Sequence, residues 1–128
     1  MEDKSLLIDT SKCMACRGCQ IACKQWNQLP AESTKNTGSY ENPPTTMGKT
    51  YTKVAFKEVV EPGTGNVKWL FRKEQCMHCT SANCIKMCPV DARAKNEFGF
   101  TEIDTEKCIG CGVCVSISVK PKIGRAHV

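Results

Sequence analysis

The sequence predicts an α+β domain of short helices, β-hairpins and long loops, stapled by metal–thiolate bonds. Three observations point there. Eleven cysteines in 128 residues fall into three spaced sets. Between the sets lie stretches of strand-forming residues broken by glycine turns. Apolar residues make up 41% of the chain and aromatics only 6%, a thin core for a small domain that lacks staples. The length allows one compact domain or two very small ones, and the reading adopted is one metal-stapled domain over residues 1–122.

From the N-terminus, SLLID (Ser5–Asp9) is a short apolar run that reads as a strand. Cysteine set one, CMACRGCQIACKQWN, runs from Cys13 to Asn27. Its second half, GCQIACKQW, has no breaker after Gly18 and is predicted as a short helix. Residues 30–48, PAESTKNTGSYENPPTTMG, are rich in Pro, Gly, Ser, Thr and Asn and so form a long loop. Such a loop in a compact domain is more often functional or partner-facing than idle. KTYTKVAFKEVV and NVKWLFR flank the turn EPGTG and are predicted as a hairpin over 49–72. Tyr51, Lys53, Ala55 and Lys57 should share one face, with Thr52, Val54, Phe56 and Glu58 on the other. Set two, CMHCTSANCIKMCPVDA, occupies Cys76–Ala92. AKNEFGFTEID is a smaller hairpin about Gly99 and leads into set three, CIGCGVC. The alternation of cysteine set and hairpin is the main internal repeat.

The formal net charge is +5, but that count treats every cysteine as a neutral thiol, whereas metal ligands are thiolates. A 4Fe–4S core held by four thiolates nets roughly 2−, so two or three clusters would cancel about all of the excess. The basic balance therefore gives no argument for a nucleic-acid partner. No stretch approaches the ~18 apolar residues of a membrane span. MEDKSLLIDTSKC has neither an apolar run of signal-peptide length nor a small-residue cleavage site. With no mark of an oxidising compartment and an odd number of cysteines, disulfides are disfavoured. A protein exported together with a partner carries no mark of its own, so cytoplasm and periplasm both stay open.

Set one is C-x2-C-x2-C-x3-C (Cys13, Cys16, Cys19, Cys23). Set two is C-x2-C-x4-C-x3-C-P (Cys76, Cys79, Cys84, Cys88, Pro89). Set three is C-x2-C-x2-C (Cys108, Cys111, Cys114), with Ser118 where a fourth cysteine would fall. Three thiolates two residues apart wrap a tight loop around three iron corners of a cube, and the fourth cysteine of such a run serves a second cluster. Zinc is better matched by two separated pairs making one tetrahedron. All eleven cysteines are therefore candidate ligands of 4Fe–4S clusters. His78, between Cys76 and Cys79, is expected to have a loop or solvent role because every regular ligand position is already cysteine. Trp26 is expected to pack over a cluster or at a subunit interface. Arg17, Lys24 and Arg72 would raise a cluster's potential if close to it, but read mainly as solvated charge.

Sets two and three with their intervening hairpin resemble a bacterial two-cluster ferredoxin, which implies a ferredoxin-like 4Fe–4S dicluster fold. Set one with CKQWN, the hairpin at 49–72 and the four-residue gap of set two are similar to the iron–sulfur electron-transfer subunits of molybdopterin oxidoreductases. ACRGCQIACKQWNQLPAE and NTGSYENPP make the beta subunit of tungsten- or molybdenum-containing formate dehydrogenase the nearest likeness. The dimethyl sulfoxide and nitrate reductase relatives share the cysteine frame but less of that wording. The resemblance covers roughly residues 4–117.

It implies crossed ligation. Cys108, Cys111 and Cys114 would take Cys88 as fourth ligand. Cys76, Cys79 and Cys84 would draw theirs from position 118. Cys13, Cys16 and Cys19 would close on a fourth set that this chain lacks, toward which Cys23 would reciprocate. It also implies a non-catalytic subunit relaying electrons between a molybdopterin-containing catalytic subunit and a downstream acceptor or membrane cytochrome subunit. The residues agree in one respect: no Ser-His-Asp set, glycine-rich phosphate loop or carboxylate pair is evident. A free ferredoxin-like carrier is the alternative, disfavoured because a minimal carrier needs neither set one nor the long loop. Finally, KIGRAHV at the C-terminus is similar to the translation of a sequencing adapter, so Ile123–Val128 is expected to be non-native and Ser118 a misread cysteine codon.

Overall fold

A computed structural model describes Lys4 and residues 6–118. The expected tail at 123–128 lies outside the described residues. The elements, in order, are α1 (Gly18–Trp26), β1 (Lys53–Val60), β2 (Val67–Glu74), α2 (Asn83–Lys86), β3 (Arg93–Lys95), β4 (Thr101–Ile103) and α3 (Val113–Ser116), with a 3-10 turn at Thr10–Lys12 ahead of them. They form two separate two-stranded antiparallel sheets, β1–β2 and β3–β4.

Each element ends where its sequence requires. The 3-10 turn is capped by Asp9, whose Oδ1 accepts from the Ser11 amide at 3.0 Å and the Ser11 hydroxyl at 2.6 Å. Helix α1 stops at Asn27, whose side chain donates to the Cys23 carbonyl at 2.8 Å. Gln28 then turns left-handed (φ 52°), and Leu29 N donates back to the Lys24 carbonyl. In the large hairpin Lys53 faces Glu74, Phe56 faces Phe71 and Val60 faces Val67. Its turn uses the positive φ of Gly63 (97°) and Gly65 (70°). In the small hairpin Asn96 Oδ1 accepts from the amides of Phe98 and Phe100, which forces the reversal about Gly99.

The strand expected at Ser5–Asp9 does not form over the described part, residues 6–9. Leu6 and Leu7 are 61% and 91% exposed, and Lys4 ties to the turn of the small hairpin through its N donating to the Phe98 carbonyl at 3.2 Å and its ammonium over the Phe98 ring. An apolar run with no neighbour to pair against gains no ladder.

The apolar core is small: Val54, Ala82 and Ala92 are its buried members. Much of the remaining order is polar. Thr46, Thr50 and Thr52 are buried, as is Lys53, whose ammonium pairs with Glu41 and, at 3.6 Å, with Glu74. The long loop therefore packs against the start of β1 instead of ranging free. Tyr40 on that loop lies edge-on to Trp69 at 4.9 Å and beside Phe56 at 6.1 Å, closing one face of the large hairpin. Helix α2 packs on α3 and on β3, which brings sets two and three together.

Candidate metal centre

The three cysteine loops share a backbone device. The second residue after the first cysteine is left-handed in each: Ala15 (φ 59°), His78 (φ 46°) and Gly110 (φ 67°). In sets one and three the residue after the middle cysteine is left-handed too, Arg17 (φ 59°) and Gly112 (φ 77°). Such turns gather successive amide N–H groups on the inside of the loop, a concavity suited to anionic groups. Non-glycine residues enter this region at a cost of about 1–2 kcal/mol, so Ala15, Arg17 and His78 are held there by their surroundings.

Sets two and three meet. One cavity is lined by Cys88, Cys108, Cys111 and Cys114, with Ile103 and Ile109 among its apolar walls. This places the last cysteine of set two with the triplet of set three. Cys88 Sγ also receives the Ala92 amide at 3.3 Å. Amide donation from Val90, then Ala92 and Arg93, outweighs burial and the nearby Asp91 charge, and holds the Cys88 thiol below its ordinary value.

Cys76 and Cys79 line a second cavity together with Leu6, Ile8, Arg72 and His78. Burial pushes the Cys76 thiol up. The His78 amide, 3.4 Å from its sulfur, pulls the other way, and the neighbouring Cys84 and Cys79 raise it further. Those three thiols are thus close enough to feel one another's charge. Set one lies apart from the Cys88 cavity, against the large hairpin. Cys23 sits on α1 with the Asn27 amide group 3.6 Å from its sulfur.

The donor set fits a multi-iron cluster. None of the eleven cysteines is in a disulfide. Among the described residues no three histidine, cysteine or carboxylate side chains converge closely enough for a single metal ion. Four thiols lining one cavity, with a backbone amide aimed at the Cys88 sulfur, are instead what a cube of iron and sulfide requires.

Several roles differ from expectation. Lys24 is not a solvated charge: its ammonium bonds Glu32 at 3.0 Å, the Lys49 carbonyl at 2.9 Å and Thr50 at 3.1 Å, tying α1 to the long loop. Arg17 lies over Phe56 and donates to the Tyr40 carbonyl. Trp26, expected over a cluster or at a subunit interface, is 88% exposed. Arg72 is half-exposed and pairs with Glu74. His78 has the expected loop role, and its partner is the Thr101 amide. Loop position alone could have marked Arg17 and His78, since each stands where the cysteine spacing forces a left-handed turn.

Comparison with known proteins agrees with this geometry. Residues 68–117 match the family described as 4Fe-4S dicluster domain, which gives this part of the chain a ferredoxin-like α+β fold and 4Fe–4S clusters as its cofactors. The chain is 37% identical over 116 residues to the formate dehydrogenase-O iron-sulfur subunit of Escherichia coli, covering 90% of this chain and 38% of that protein. It is 46% identical over 81 residues to the beta subunit of a formate dehydrogenase of Megalodesulfovibrio gigas, covering 63% of this chain and 37% of that one. Identity to the iron-sulfur subunit of a putative dimethyl sulfoxide reductase of Halobacterium salinarum is 32% over 117 residues, with 91% and 42% covered. The chain spans about two fifths of the length of these curated relatives.

Proposed function

We propose that this chain, a homologue of formate dehydrogenase iron–sulfur subunits, is the cluster-bearing part of an electron relay. In that role it links a molybdopterin-containing subunit that oxidises formate to a downstream acceptor or a membrane cytochrome subunit. The observation that carries the reading is the cavity uniting Cys88 with Cys108, Cys111 and Cys114, the crossed pairing that a two-cluster relay needs. A 4Fe–4S cluster supplies one-electron transfer with little change of shape.

The chain's own residues supply the rest. Cys108, Cys111, Cys114 and Cys88 hold one cluster, and Cys76, Cys79 and Cys84 hold three corners of another. Cys13, Cys16 and Cys19 hold three corners of a third, and Cys23 serves a further cluster. The amides of Ala92 and His78 donate to Cys88 and Cys76 sulfurs, which favours the thiolate and raises the potential of whatever it ligates. Ile103 and Ile109 give the Cys88 cavity apolar lining. We place no catalytic residue here.

The test is copurification and reduction. The chain should copurify with its molybdopterin partner after coexpression, and formate should reduce its clusters only in that complex. Clusters that dithionite reduces but formate does not, in an intact complex active with an artificial acceptor, would refute the relay.

A further inference from the structure

The three left-handed positions Ala15, His78 and Gly110 are equivalent by spacing, yet they differ in one respect. Alanine and glycine reach nothing from there; the imidazole of His78 does. Its Nδ1 accepts the Thr101 amide at 2.9 Å. An amide can donate only to a nitrogen lone pair, so the ring proton of neutral His78 sits on Nε2. The ring also meets Phe100 edge-on at 5.1 Å. Its carbonyl accepts from Lys95 Nζ at 3.2 Å, and the same ammonium bonds the Gly99 carbonyl at 2.8 Å. Three residues of the small hairpin thus grip His78 by ring face, ring nitrogen and carbonyl. What remains of the residue is its amide, which points at Cys76 Sγ at 3.4 Å.

We propose that His78 is a positioning residue that locks the Cys76–Cys79 loop onto the β3–β4 hairpin and so aims its own amide at the Cys76 sulfur. The inference rests on Cys76 being a cluster ligand, as set out above. The left-handed φ opposes this conformation for a non-glycine residue, and a ring acceptor with one fixed partner offsets that cost. The hairpin thereby becomes part of the second coordination sphere, and second-sphere hydrogen bonds to sulfur tune a cluster.

The test uses the anaerobically reconstituted full chain. His78→Gly keeps the left-handed turn and removes the acceptor, while His78→Asn tolerates the turn and returns an acceptor oxygen near the Nδ1 position. Cys76→Ser identifies which resonance belongs to the Cys76 cluster. In His78→Gly that resonance should shift to lower potential, and the Thr101 amide should exchange roughly tenfold faster, a single hydrogen bond's effect. The Cys88–Cys108 cluster should not move. His78→Asn should return both readouts most of the way. If His78→Gly loads no iron at set two, recovery in His78→Asn supports the proposal and equal loss in both overturns it. Wild-type potential and exchange in His78→Gly would overturn the positioning role while leaving the relay intact. A wild-type chain with no Cys76-dependent cluster would overturn both.

Discussion

The guanidinium of Arg17 lies 4.9 Å from the centroid of the Phe56 ring, so the first cysteine loop is clamped to a strand some forty residues further along the chain. The same group donates to the Tyr40 carbonyl, and Tyr40 in turn packs on Phe56 and Trp69. Arg17→Ala should therefore cost about 1–3 kcal/mol, the sum expected of a cation–π contact and a charged hydrogen bond. Arg17→Lys should recover only part, since an ammonium lacks the planar stack. Chemical denaturation of the reconstituted chain reads the stability. Iron loss confined to the Cys13–Cys19 loop would show that the clamp serves that loop.

Lys53 is almost wholly buried between Glu41 and Glu74. Lys53→Met should cost roughly 3 kcal/mol because it strands two partly buried carboxylates. Adding Glu41→Gln should restore a measurable share, since an isolated charge is worse than none. A double-mutant cycle on thermal unfolding checks this, and strict additivity would show that the pair is uncoupled.

The same site sets a pH dependence. Burial works to raise the Glu41 carboxyl, but the Lys53 ammonium and the Phe56 amide prevail and hold it below its ordinary value. A depressed carboxyl contributes stability that is fully present above the ordinary carboxylate range and fades as pH falls through the lowered value. The stability gap between the native chain and Glu41→Gln should thus be constant at neutral pH and narrow below about pH 4.5. Taking the difference cancels the acid sensitivity common to both. A gap that widens on acidification would contradict the sign.

Cys88→Ala should strip iron from the Cys108–Cys111–Cys114 loop and spare the loop of Cys76, Cys79 and Cys84. The reason is the cavity, which places Cys88 with the later triplet. Iron content and electron paramagnetic resonance of the reduced variant distinguish the two. Loss of the Cys76-dependent signal instead would mean that ligation is not crossed.

Ser118 stands to α3 as Cys88 stands to α2. In each case the short helix begins one residue before a cysteine, Cys84 or Cys114, and the position in question comes four residues after that cysteine. The two helices pack together, and by this equivalence position 118 corresponds to the crossing position of Cys88. Ser118→Cys should raise the iron content and abolish a 3Fe–4S resonance that the native chain develops on mild oxidation. No change in either would remove position 118 from the ligand set.

Helix α1 was legible because nothing between Gly18 and Trp26 breaks it, and both hairpins because glycine turns separate β-rich runs. Cysteine spacing was enough to propose that Cys88 crosses to the third set once the likeness to ferredoxins was admitted. What sequence patterns missed is polar. Nothing local says that Lys24 will bury its ammonium against Glu32 and Thr50, because those partners come from a loop whose path no periodicity describes. The error at residues 6–9 has the opposite origin. Leu6, Leu7 and Ile8 have strand-like side chains, but a strand also needs an edge to join, and that is a property of the whole fold.

The Cys88 cavity also bears on how the protein is made. Its walls come from residues 88 to 114, so a nascent chain halted at the second set offers Cys88 nothing to close upon. Chains emerge from the ribosome N-terminus first, at about 5–20 residues per second, and Cys88 clears the tunnel before any of its three companions. Loading of that site therefore waits for Cys114 to emerge, and during the interval Cys88 is a bare thiol with its donors Val90 and Ala92 already beside it. The machinery that delivers iron and sulfide to this site must wait for the later segment.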